Sequence, residues 1–262
     1  MRGRLKIVAS GLIAVTLAVF FAYFVFSPKK LTIAVGPIGG SDIRVMVAFL
    51  QALQREGAPI RLKLLATDGP AASAEMFARG KIDLAVLRTD VAMPDQAATV
   101  ALLRRDAVYF ITRPGSGIEK ISDLRAKVVG AIAPRPANDQ VLDRILTHYG
   151  VKASELDIMR GTVGEITQAV HEGRIDAVFV VAPASDRFGR NVFQGVPRVD
   201  GKEAGLLPVL EAEAMVEQYP QLDTMDIVRG AFGGDPPRPD EDVGTLAVTH
   251  RLVARRTLGE DI

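Results

Sequence analysis

Twenty consecutive residues near the start of the chain, Ile7 to Phe26 (IVASGLIAVTLAVFFAYFVF), carry no charge. As a helix rising about 1.5 Å per residue, this run reaches about 30 Å, the hydrocarbon thickness of a bilayer. It has no polar face to turn toward water, which argues against a buried core helix and for a membrane segment. Arg2, Arg4 and Lys6 precede it and Ser27-Pro28-Lys29-Lys30 follow it. The slightly larger basic cluster in front places the N-terminus in the cytoplasm and the rest of the chain on the far side. A cleaved signal peptide ends in small residues. The exit here, Phe24-Val25-Phe26-Ser27-Pro28, is bulky, so an uncleaved signal anchor is expected. A lipoprotein signal needs a cysteine, and the chain has none.

From Leu31 onward the chain carries 27 basic and 31 acidic residues, because five of the basic ones lie before that point. This mild acidity offers no basic face of the kind nucleic acid needs, so no nucleic-acid partner is expected. The lack of cysteine also removes disulfides, thiolate catalysis and thiolate metal sites. The three histidines, His148, His171 and His250, lie far apart without metal-ligand spacing and read as surface or helix-end residues. No metal or cofactor is expected. No Gly-x-Ser-x-Gly elbow, His-Glu-x-x-His or spaced carboxylate pair marks an enzyme.

Strands and helices alternate through this part. Leu31–Gly36, Ile60–Ala66, Ile82–Leu87, Ala107–Thr112, Val128–Ala133, Leu156–Arg160 and Ile175–Val181 read as strands. A helix opens after Gly39-Gly40-Ser41-Asp42, with apolar residues at Ile43, Met46, Val47, Leu50 and Leu53 and either Ser41 or Asp42 as N-cap. Further helices are expected over Ala72–Ala78, from Pro136 to Tyr149 and over Glu165–Glu172, and Leu252–Leu258 also looks helical. The pattern predicts α/β architecture with mostly parallel sheets, in two lobes. One echo supports the two lobes. Ala78-Arg79-Gly80-Lys81-Ile82-Asp83 is matched by Glu172-Gly173-Arg174-Ile175-Asp176, each a helix end, a glycine stop, a basic residue and Ile-Asp leading into a strand.

The candidate binding residues stand at the ends of these strands, where open α/β sheets take ligands. The turn Gly36-Pro37-Ile38-Gly39-Gly40-Ser41 exposes N–H groups at a helix start, which suits a carboxylate; a plain structural turn is the alternative reading. It is neither GxGxxG nor a Walker A loop. Arg88-Thr89-Asp90 faces either solvent or the cleft. Pro134-Arg135-Pro136-Ala137-Asn138 opens a helix, where Arg135 could pair with an anion and Asn138 could cap, or the segment could be a simple capping turn.

Several segments resemble one family. The strand before Gly39-Gly40 and the run Gly80-Lys81-Ile82-Asp83-Leu84-Ala85-Val86 with Thr89-Asp90-Val91-Ala92 resemble the first lobe of type II periplasmic binding proteins. Ile121-Ser122-Asp123-Leu124-Arg125-Ala126-Lys127-Val128 is similar to the signature that begins their second lobe. Leu206-Leu207-Pro208, Gly230-Ala231-Phe232 and Asp242-Val243-Gly244-Thr245-Leu246 resemble the C-terminal region of the TAXI solute receptors of TRAP transporters. The resemblance implies a two-lobed fold with lobe 1 at 31–105 plus 200–262, lobe 2 at 106–199, and residues 1–30 as the cytoplasmic tip and anchor. It implies a receptor that catalyses nothing, closes on a small anionic or zwitterionic solute such as glutamate, and docks on a membrane permease. The receptor would be a single-pass protein of a bacterial inner membrane with its lobes in the periplasm. The family's binding loops fall at Gly39, Gly40 and Ser41, at Thr89 and Asp90, and at Pro136, Ala137 and Asn138. Asp42 and Arg135 depart from the family pattern. Members of the family also run on past the last residue here, which suggests a shortened chain. A membrane-anchored ligand sensor or interaction protein on the same fold is the second reading. An enzyme, as in porphobilinogen polymerisation or thiamin-precursor synthesis, is the third and would need a cofactor cysteine or a histidine cluster.

Overall fold

Two long strands organise the molecule, β4 (Ala97–Thr112) and β12 (Val243–Arg255), which lie antiparallel side by side. The computed structural model describes residues 28–132, 136–184 and 187–258, together with Thr16, Leu17 and Phe20. Around those strands the first half supplies β1 (Lys29–Ala34), α1 (Ser41–Arg55), β2 (Ile60–Leu65), α2 (Pro70–Ala78) and β3 (Leu84–Arg88). The second half supplies β5 (Val128–Ile132), α3 (Pro136–His148), β6 (Asp157–Gly161), α4 (Val163–His171), β7 (Ala177–Ala182), α5 (Arg187–Gly195), β8 (Gly205–Leu207), α6 (Ala212–Gln218) and β9 (Asp223–Ile227). A small hairpin of β10 (Gly233–Gly234) and β11 (Pro237–Arg238) precedes β12.

The strand order is β2-β1-β3-β12-β4-β7-β5-β6. The triplets β2-β1-β3 and β6-β5-β7 are both parallel and follow the same β-α-β-α-β path. The echo between Gly80 and Gly173 marks this correspondence. Both glycines hold the positive φ of a helix stop, +75° and +69°. The aspartates that follow do the same work. Asp83 accepts from the backbone N–H of Thr32 through its carboxylate (2.7 Å) while its own N–H bonds the Thr32 carbonyl. Asp176 makes the same pair of bonds to Val128, at 3.0 and 2.9 Å. Each aspartate thus clamps the central strand of its triplet.

Period-two alternation distributes the core. In the first half Leu31, Ile33, Leu84, Val86 and Leu252 face α1, whereas Ala34, Ala85, Leu87 and Val253 face Phe77 of α2. In the second half α3 packs over Val108, Phe110 and Phe179, while α4 and α5 pack over Tyr109, Ile111 and Val178.

Leu207, Val209, Ala212, Met215 and Leu222 are buried with the α3 core, β9 pairs with Val243–Ala247, and the end of β12 pairs with β3. Two expectations need correction. Residues 252–255 are strand, not helix, with a short 3-10 turn at Arg256–Leu258; β12 is paired on both sides there, and Leu252 and Val253 point to opposite buried faces. The strand expected from Ala107 begins at Ala97. Apart from Thr16, Leu17 and Phe20, the Ile7–Phe26 segment lies outside the described residues. Among the described residues, no helix is long and apolar enough to cross a membrane.

Candidate functional site

A cavity of about 580 Å³ lies between the halves at the C-terminal ends of the parallel strands. Its first wall is the start of α1 (Gly39, Gly40, Ser41, Asp42) and the start of α2 (Gly69, Pro70, Ala71, Ala72). The facing wall is the start of α3 (Pro136, Ala137, Asn138) with Val180 to Pro183 at the end of β7. Arg88, Arg104, Asp106 and His250 also line it. The volume suits a small solute.

The first wall is built by glycine. Gly39 has φ +84°, and a Cβ on Gly40 would stand 3.0 Å from the Pro37 carbonyl oxygen. That turn brings α1 in with Gly40 as N-cap and no side-chain acceptor, so neither Ser41 nor Asp42 caps the helix as expected. α2 likewise begins after Gly69 without a side-chain cap. The first N–H groups of both helices therefore have neither an intrahelical nor a side-chain cap partner.

Across the sheet the register aligns Arg88 on β3, His250 on β12 and Arg104 on β4. Three adjacent basic side chains on one face would repel one another, and three aspartates compensate them. Asp90 holds Arg88 through two bonds, to Nε (2.9 Å) and Nη2 (2.6 Å). Asp42 accepts from Arg104 Nε at 3.0 Å and lies 3.0 Å from His250 Nδ1. Asp106 pairs with Arg104 Nη1 and lies 3.1 Å from His250 Nε2. Burial would raise the Asp42 carboxyl, but the hydrogen bond and charge of His250, with those of Arg104, hold it below the usual carboxylate value. Burial pushes the His250 imidazole below its ordinary value; the Asp42 bond opposes this, and the Arg104 and Arg88 cations add to it.

This network lies where β12 passes from one half to the other. Val243–Ala247 pair with β9, His250–Ala254 pair with β3, and a register shift in the pairing with β4 falls between His250 and Arg251. Among the described residues, one hydrogen bond crosses the cavity: Arg88 Nη1 donates to Asn138 Oδ1 at 2.5 Å. Asn138 therefore reaches across to the first half and does not cap α3.

Of the expected binding residues, Gly39, Gly40, Ser41, Pro136, Ala137 and Asn138 line the cavity. Thr89 does not, because its Oγ accepts from the Thr249 N–H at 3.1 Å. Asp90 is buried behind Arg88 and acts through it. Arg135 lies outside the described residues. His250 was read as a surface or helix-end residue, but it is a strand residue only 4% exposed, held by carboxylates supplied from α1 and β4. Arg88, from the segment left open between solvent and cleft, lines the cavity; Arg104 and Asp106 also line it and were not among the residues expected from the sequence. The available signal was Arg-x-Asp, which occurs at Arg88–Asp90 and again at Arg104–Asp106 and places both charges on one face of a strand. Among the described residues, no group of His, Asp or Glu side chains is arranged to hold a metal ion.

Two α/β halves of matching topology, joined by two continuous strands around a solute-sized cleft, define the two-lobed architecture of the type II periplasmic binding proteins. The profile of the family described as NMT1/THI5 like matches residues 55–191, and the chain belongs to that family. A structure from Bordetella bronchiseptica RB50 superposes with TM-score 0.51 at 14% identity, over 87% of this chain and 64% of that one. The alkanesulfonate-binding protein SsuA of Xanthomonas axonopodis pv. citri, bound to MOPS, gives 0.49 at 13% identity, over 88% and 67% of the two chains. The periplasmic aliphatic sulphonate binding protein SsuA of Escherichia coli gives 0.48 at 19%, over 74% and 68%. A search of the curated proteins finds no match.

Proposed function

We propose that the protein is an extracytoplasmic solute-binding receptor that captures a small anionic or zwitterionic molecule between its lobes and presents it to a membrane permease. The observation that carries this reading is the cavity itself. Its walls come from both halves, and the Arg88–Asn138 bond closes across it. A solute touching both walls favours the closed arrangement by its differential contacts, with β4 and β12 as the flexing connection. The open N–H groups of α1 and α2 suit an acid group such as the carboxylate of a glutamate-like solute. The TAXI resemblance of the segments at Leu206–Pro208 and Asp242–Leu246 points to a TRAP-type permease as recipient. Ile7–Phe26 would then tether the receptor in the bacterial inner membrane beside that permease, raising its local concentration there.

Thermal shift of the full chain against small acids and amines tests the reading. A solute at about one hundred times its Kd stabilises the folded form by about 2.7 kcal/mol, or about 5–10 °C for a chain of this size. A library that leaves the transition unmoved throughout removes the proposal.

A further inference from the structure

The network on the floor of the cleft selects what enters, and this argument rests on reading the cavity as a solute site. Four carboxylate oxygens belong to Asp42 and Asp106. Arg104 supplies one N–H to each carboxylate, and its Nη2 lies 3.2 Å from His250 Nε2 and 3.4 Å from Nδ1. The other oxygen of each faces one ring nitrogen of His250. A neutral imidazole has a single N–H, so one of those oxygens meets a lone pair. Burial, with Arg88 and Arg104 beside it, disfavours the second ring proton. With both carboxylates ionised, Arg104 balances only one of them, and the group is one N–H donor short with one negative charge. Two further charges line the cavity, Asp68 before α2 and Arg187 on α5. Arg88, on β3, is neutralised by Asp90. Asn138, the α3 residue nearest, is uncharged, and Asp139 beside it is held by Arg160 at 3.2 Å. On α1, Arg44 lies at the exposed rim and donates to Ser41 at 3.0 Å.

A plain anion placed against this floor meets net negative charge. A protonated nitrogen brings the missing donor and cancels that charge. Resting on the acid group of the proposed function, we infer that the solute is a zwitterion whose protonated nitrogen is read by Asp42 and Asp106.

Isothermal titration of the full chain in detergent at pH 7.5, with amino acids and their amino-free counterparts such as L-glutamate against glutarate, tests this directly. The amino-bearing member is expected to bind at least tenfold more tightly than its partner. Asp106→Asn, which keeps the shape, is expected to remove that preference by weakening the amino acid tenfold or more while leaving the amino-free acid within twofold. The comparison on the parent chain stands even where the variant folds poorly. Equal or tighter binding of the amino-free acids overturns the inference and leaves the solute site standing. Binding of neither class overturns the solute site with it.

Discussion

Replacing Arg104 with methionine isolates the energetic role of the cleft floor. Methionine keeps an apolar stem of similar reach and removes only the guanidinium. The two aspartates then face each other through a neutral imidazole with no cation between them. Their side chains are 13% and 7% exposed, and that of Arg104 is 17% exposed, so the charges are well shielded from water. Breaking a buried pair by removing one partner costs about 3–5 kcal/mol. The residual exposure of Arg104 places this case at the lower end, about 3 kcal/mol. For a chain of this size that lowers the melting temperature by about 6–12 °C. Urea unfolding followed by circular dichroism measures it. The cost comes from unpaired charge and not from lost packing, so Arg104→Met combined with Asp42→Asn and Asp106→Asn should recover most of it. A single variant within 1 kcal/mol of the parent, or a triple variant no better than the single, would refute the reasoning.

Further outcomes follow from other contacts. Asp42 and His250 both have lowered pKa values in the fold, so both contributions are present at neutral pH. That of His250 declines as pH falls below its ordinary 6.5, and that of Asp42 is lost at lower pH, as its folded-state value is passed. Melting temperature should therefore be level from pH 8 to about 6.5 and fall below it, with the first part of the fall absent in His250→Gln; a rise between pH 6.5 and 5 would contradict this. A Cβ at Gly189 on α5 would stand 2.0 Å from the Tyr109 hydroxyl oxygen and 3.1 Å from Cζ of the same ring. Gly189→Ala should cost about 1–3 kcal/mol, and Tyr109→Phe should restore much of it, as read by denaturant midpoints. Asp83→Ala and Asp176→Ala should each lose about 1.5–3 kcal/mol, because each removes a carboxylate from a backbone N–H in the matching place of its half; hydrogen exchange at Thr32 and Val128 should report the loss locally.

The parts of the fold legible in the sequence are those fixed by local chemistry. Gly57, Gly80, Gly150 and Gly173 stop helices where only a left-handed residue serves, and all four have positive φ. The helices starting at Ser41 and Pro136 were legible because their apolar periodicity is complete within one segment. What escaped depended on partners distant in sequence. The first part of β4 contains Arg104-Arg105-Asp106, which reads as a charged break until Asp42 and His250 arrive from 62 and 144 residues away. The end of β12 reads as helix because its strand character comes from β3 and β4 on either side. The segment Arg88-Thr89-Asp90 left the facing of each side chain open in the sequence; pairing with β12 turns Thr89 to Thr249 and leaves Asp90, on the face of Arg88, to hold it.

The account is tested most directly by the distance between the lobes. With no native cysteine, Lys63→Cys on β2 and Lys152→Cys beyond α3 accept spin labels at single sites on opposite halves. Pulsed dipolar spectroscopy of the full chain, with and without the amino acids that titration shows to bind, should find a broad distribution that moves to a shorter, narrower one on binding. A distribution unchanged by a solute that calorimetry shows to be bound would contradict closure of the two lobes around it.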